Sequence, residues 1–116
     1  MKIKRIYTGD DGKSHLEEVE IPITQEGLGG RMSEFQPATG IVFRKTGGGY
    51  SNDFHNAPGR QYVLQLEGAL EVETGAGQKT RIEAGEVLLG EDTTGQGHIT
   101  RAVDGRPVLS IFVTLD

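Results

Sequence analysis

Alternation at period two dominates this chain. Short runs in which apolar and polar positions take turns recur along its length, broken by glycine-rich clusters. Such alternation sends successive side chains to opposite faces of a strand. Strands are expected at 3–9, 14–23, 40–46, 50–55, 60–67, 69–75, 78–84, 86–91, 98–103 and 107–115. The first two flank Asp10-Asp11-Gly12-Lys13 and read as an N-terminal β-hairpin. Glu67-Gly68 reads as a tight turn between two more. Residues 24–39 show no clear period and read as a loop crossing the surface. No helix of three turns with a clean apolar face is expected. The stretch 24–35 is charged but sets Gly29 beside Gly30, each costing a helix about 1 kcal/mol.

The glycines fit the same picture. There are 18 of them in 116 residues, against an average usage of roughly 7%. They are not periodic and fall between the alternating runs, as turns do in an all-β chain. The length suits a single domain, 1–116, with N-terminal strands and a loop at 1–39 and a barrel at 40–115. So many short strands in so small a domain imply a sandwich or a closed barrel, since closure removes exposed edges.

Period two sorts the faces. Gln61, Val63 and Gln65 share one face of their strand, and Tyr62, Leu64 and Leu66 the other. His98, Thr100 and Ala102 oppose Ile99, Arg101 and Val103, while Ser51, Asp53 and His55 fall together. Mixed polar and small faces opposite apolar ones imply an interior that is a pocket rather than solid core.

Charge and composition narrow the function. The net charge is −5 with no Lys/Arg cluster, which argues against nucleic acid. No apolar run approaches the roughly 20 residues that span a bilayer, and no signal-peptide core follows the charged N-terminus. Cysteine is absent, which removes disulfides, thiolate zinc sites and a cysteine nucleophile. No serine stands in a nucleophile elbow. A cytoplasmic protein with a small-molecule ligand, and neither nucleic-acid nor membrane partner, is the expectation.

The segment His55–Val72 resembles the first signature of the cupin superfamily, H-x-H-(x)3-E-(x)6-G. His55 falls on the first His and Gly68 on the closing glycine, but Ala57 stands at the second His and Gln61 at the Glu. Residues 85–102 resemble the second signature, G-(x)5-P-x-G-x-x-H-(x)3-N. Gly85, Gly95 and His98 match it, Thr93 replaces Pro, Ala102 replaces Asn, and two extra residues precede Thr93. The likeness extends over 40–115, and the chain looks like a small single-domain bacterial cupin. It implies an all-β, cupin-type double-stranded β-helix, a jelly-roll barrel with an N-terminal β-hairpin.

The resemblance also implies a metal site of three His and one Glu. Here His55, Gln61 and His98 remain as candidate ligands for one divalent ion (Zn, Ni, Mn or Fe), with waters completing the shell. Gln61 lacks a carboxylate's charge, and Ala57 offers nothing. The alternative is no metal, with both histidines hydrogen-bonded in a polar pocket. His98 is the candidate catalytic acid/base. Asp53, Arg60, Gln65 and Thr100 are the candidate ligand-binding residues.

Arg44 and Arg60 each carry a fork suited to a carboxylate, against the plainer alternative of a surface arginine. Glu91 or Asp92 could orient His98 or act as a base, or be a solvated turn. His15 reads as a solvated surface residue. Two function classes stay open: an enzyme acting on a small polar or carboxylated metabolite, or a metal-free, non-catalytic ligand-binding or sensing module. Small cupins are commonly dimers and the Tyr62/Leu64/Leu66 face needs cover, so a homodimer through the sheet of the N-terminal strands is expected.

Overall fold

The computed structural model describes all 116 residues and contains twelve strands and no helix. They are β1 (Lys2–Thr8), β2 (Ser14–Glu20), β3 (Gln25–Gly27), β4 (Gly30–Met32), β5 (Gly40–Thr46), β6 (Ser51–His55), β7 (Gln61–Glu67), β8 (Leu70–Thr74), β9 (Lys79–Ile82), β10 (Val87–Glu91), β11 (His98–Ala102) and β12 (Val108–Thr114). No helix is long and apolar enough to cross a membrane.

Ten of these strands match the alternating runs. The other two, β3 and β4, lie where a loop was expected. At three residues each they are too short to show a period. They pair through Leu28-Gly29, both at positive φ (50° and 78°). The glycine that argues against a helix thus helps to make a hairpin turn.

A six-stranded sheet of order β2-β1-β10-β7-β12-β5 faces a four-stranded sheet of order β6-β11-β8-β9. The core lies between them. Ile6, Val63, Leu88 and Val108 from the first sheet meet Leu70, Val72 and Ile82 from the second. Each projects from the inward parity of its strand, so the hydrophobic effect fixes the register: a one-residue slip would turn every one of them outward. The β1–β2 hairpin is fully paired over seven residue pairs, and β1 also runs parallel to β10.

The expected closed barrel is corrected to two layered sheets that do not close. β5 pairs only with β12, and β6 only with β11. The glycine-rich turn Gly47–Gly49 carries the chain from one layer to the other between β5 and β6, which do not pair with each other.

Gly68 shows why one turn needs glycine. Its φ is +69°, and a Cβ there would fall 2.4 Å from the Pro107 carbonyl oxygen. The β7–β8 turn therefore packs its backbone directly against the strand entering β12.

Candidate functional site

A cavity of about 250 Å³ opens between the two sheets. β6, β11 and the adjoining Tyr50 supply its polar wall, and Gln61 of β7, Arg44 of β5 and Phe112 of β12 lie on the opposite sheet. Val63, Leu70, Val72, Ile82 and Leu88 form its apolar floor.

His98 is at the centre of the polar wall. It begins β11, is only 8% exposed, and points inward with Thr100. Its Nδ1 lies 2.5 Å from Asp92 Oδ2. An ionised carboxylate only accepts, so Nδ1 carries a proton, and in the neutral ring Nε2 is then bare. Nε2 has no protein partner and is not sealed off, so it opens onto the cavity.

Asp92 is fully buried. Its Oδ2 also accepts from the Ser14 hydroxyl at 2.7 Å, while Oδ1 has no partner. The loop that carries it is pinned from both sides. Ala57 N donates to the Asp92 carbonyl at 3.2 Å, and Asn56 Nδ2 donates to the Thr94 carbonyl at 2.9 Å. Thr8 in the N-terminal hairpin donates to the same Thr94 carbonyl at 3.0 Å. The hairpin therefore positions the carboxylate behind His98.

His55 ends β6 directly across from His98. The ring centroids are 4.5 Å apart at 56°. His55 Nδ1 lies 2.8 Å from the Asp53 carbonyl, an acceptor, so in the neutral ring its Nε2 is also bare. The close approach depends on Gly97. Its φ is +78°, and a Cβ there would fall 2.1 Å from the His55 carbonyl oxygen.

A bulge changes the reading of β6. His55 pairs with His98 and Asn52 with Thr100, so three steps on β6 oppose two on β11. The simple alternation of Ser51, Asp53 and His55 fails there. Asn52, not Asp53, joins His55 in lining the cavity. Asp53 is exposed, and its carboxylate accepts from the Phe54 N–H at 2.8 Å.

The other expected residues divide. Gln61 and Thr100 line the cavity with His55 and His98. Gln65 shares the inward parity but does not line the cavity, and its amide is consumed by the fold. Oε1 accepts from Ser110 at 2.7 Å, and Nε2 donates to the carbonyls of Glu67 at 2.9 Å and Gly68 at 3.1 Å.

Arg60 lies outside the cavity. It donates to Glu91 at 2.6 Å and reaches Asp116 at 3.4 Å. Burial pushes the Glu91 carboxyl up, but hydrogen bonds from Arg5 and Arg60 outweigh it and hold the carboxyl below its ordinary range. Glu91 is thus tied to the arginines and Asp92 to the histidine. His15 is bonded to Asp11 on the outer hairpin.

Arg44, Tyr50, Asn52 and Asn56 complete the polar lining. Nothing in the sequence separates Arg44 from Arg60. Asn52 was hidden by the bulge.

The donor set falls short of a tightly held divalent ion. It offers two imidazoles and the Gln61 amide, while Ala57, buried at the position of the second motif histidine, supplies no donor. No group of three His, Cys, Asp or Glu side chains is placed to hold a metal ion. The nearest carboxylate, Asp92, is spent on Nδ1 of His98. Firm divalent sites usually include a carboxylate or a third imidazole.

No family model matches this sequence, and no curated protein is similar to it in sequence. Solved structures share the fold. Protein NMB1881 from Neisseria meningitidis is 18% identical with a TM-score of 0.51, over 66% of this chain and 72% of that one. The conserved protein SPY1581, of unknown function, from Streptococcus pyogenes is 21% identical with a TM-score of 0.50, over 73% of this chain and 71% of that one. Likeness at these identities concerns fold alone.

Proposed function

We propose that this chain is a cupin-type jelly roll whose cavity binds a small polar metabolite and moves a proton on it through His98. The observation that carries this reading is the buried Asp92–His98 hydrogen bond, which leaves Nε2 bare toward the cavity. Asp92 holds the ring in the basic tautomer and stabilises the imidazolium that forms when Nε2 takes a proton. His55, Gln61, Asn52 and Thr100 supply donors and acceptors for orienting the ligand. The apolar floor excludes water from its other side. In this reading His98 is the catalytic residue, and no resident metal takes part.

Metal content tests the reading. Protein purified without a metal-chelating tag and incubated with Zn, Ni, Mn and Fe is expected to hold well under one ion per chain. Ala57→His, which restores a third imidazole, is expected to raise affinity at least tenfold. Stoichiometric metal in the wild type, lost in both His55→Ala and His98→Ala, would overturn the metal-free reading. It would favour a site of His55, His98 and Gln61, in keeping with the two bare Nε2 atoms. A non-catalytic binding module would instead bind ligand without ever transforming it.

The chain is further proposed to work as a homodimer through the outer face of the six-stranded sheet. Ile3, Tyr62, Leu64, Val87, Val113 and Leu115 line an open apolar groove there. The β3–β4 hairpin and the segment after it edge that groove, yet Leu28 and Phe35 stand 96% and 97% exposed. Apolar side chains so placed beside an apolar groove suit a second copy, each hairpin covering its partner's groove. Sedimentation velocity is expected to give twice the chain mass at micromolar concentration. A monomer throughout a concentration series would contradict the dimer.

A further inference from the structure

Arg44 is the cavity's unusual residue. It sits on β5 opposite the fully buried Ser110 of β12, so its side chain starts inward. The guanidinium carbon lies 4.6 Å from the Phe112 ring centroid and 5.1 Å from that of Tyr50. Those two rings hold the planar cation in place. Its hydrogen bonding is poor. Nη1 makes one long contact of 3.4 Å to the Tyr50 hydroxyl, and Nε is sealed from solvent with no acceptor.

No carboxylate answers its charge. No Asp or Glu oxygen lies within 4 Å of Arg44, and none of the residues lining the cavity is acidic. This happens in a chain with 17 acidic residues. Arg5, Arg60, Arg81 and Arg101 are each ion-paired, and Arg31 and Arg106 lie exposed in water. Arg44 alone is shielded and unpaired. A partly desolvated cation without a partner costs free energy that the folded chain does not recover. A ligand carboxylate would recover it, because the guanidinium fork matches a carboxylate's geometry.

We propose that the cavity takes a small carboxylate, anchored by Arg44. This rests on the reading of the cavity as a ligand site and specifies what enters it. The volume, about 250 Å³, lies below the roughly 300–1,000 Å³ usual for drug-sized ligands, so the acid is a short one. Its carboxylate meets Arg44 on the β5 side. Its body crosses the apolar floor, and its polar substituents face Asn52, Thr100 and His98 on the β6–β11 side. Arg44 is then the specificity residue and His98 the acting base.

Calorimetric titration with mono- and dicarboxylates of two to six carbons, each beside its neutral amide, tests this at fixed ionic strength. At least one acid is expected to bind the wild type, with its amide binding at least tenfold more weakly. Arg44→Gln is expected to lose at least tenfold in affinity for that acid, and Arg44→Lys, which keeps the charge but not the fork, to fall between. Arg60→Gln, which removes an arginine outside the cavity, is expected to keep affinity within a few fold, which separates anchoring from a general loss of positive charge. Thermal unfolding of the Arg44 variants without ligand at or above the wild-type midpoint shows that the loss is not misfolding. Equal binding of acid and amide, or unaltered affinity in Arg44→Gln, would overturn the proposal. Binding of neutral polyols or sugars alone would sink the carboxylate while leaving the cavity a ligand site. Binding of none of these probes would overturn both.

Discussion

Gln65→Ala is expected to lower the unfolding free energy by about 3 kcal/mol. Gln65 is 1% exposed and makes three hydrogen bonds, all within the protein. Removing it strands the Ser110 hydroxyl, itself fully buried, and takes the amide donors from the Glu67 and Gly68 carbonyls at the β7–β8 turn. A buried group left without its partner costs about 1–3 kcal/mol, and the vacated side-chain volume adds to that. Gln65→Glu should be no better, because a carboxylate cannot donate to the two carbonyls. Ser110→Ala, which leaves only Oε1 unpaired, should cost about 1 kcal/mol. Urea unfolding of the three variants checks this series. A loss under about 1 kcal/mol for Gln65→Ala would mean that the side chain is not fastened as described. Because that amide is spoken for, Gln65 is not available to a ligand.

Asp92→Asn is expected to separate function from stability. The carboxylate is fully buried, and one of its oxygens has no partner. An asparagine oxygen could accept from Ser14 and His98 as Oδ2 does, without a buried charge. Folding therefore has little to lose, and the midpoint of unfolding should move by no more than about 1 kcal/mol equivalent. Proton transfer has much to lose. The neutral amide cannot stabilise an imidazolium, so turnover of any substrate accepted by the cavity should fall by about 10²-fold or more. Chemical denaturation beside single-turnover rates measures both quantities. A large loss of stability with unchanged turnover would make Asp92 a structural residue and remove its role behind His98.

Much of the fold was legible because two signals agree along the chain. Alternation marks each of the ten longer strands, and glycine marks the breaks between them. The short β3–β4 hairpin was not, since three-residue strands carry no period. Face assignment succeeded for β7 and β11, which pair regularly with β10 and β8, so Gln61, His98 and Thr100 point inward together.

It failed in β6. One extra residue in a bulge leaves no mark in the sequence, yet it exchanges Asn52 for Asp53. Depth was also hidden. Gln61 and Gln65 have the same parity, but only the first reaches the cavity. The two arginines looked alike because what distinguishes them is long-range. Arg60 is held by Glu91 and Asp116, 31 and 56 residues away. Arg44 is set between aromatic rings and meets no acid. Asp92 could be suspected from its loop, but its partner Ser14 lies 78 residues away, on a hairpin that sequence reading treats as peripheral.

Asp92 fixes the His98 ring with its Nε2 facing the cavity. Long-range ¹H–¹⁵N correlation on histidine-labelled protein reads that directly, with His55→Gln and His15→Gln assigning the three rings. The predicted result is a neutral His98 in the Nδ1–H tautomer, with Nε2 at the shift of an unprotonated nitrogen. The proton should lose its fixed position in Asp92→Ala. A wild-type His98 carrying its proton on Nε2, or a spectrum that Asp92→Ala leaves unchanged, would contradict it.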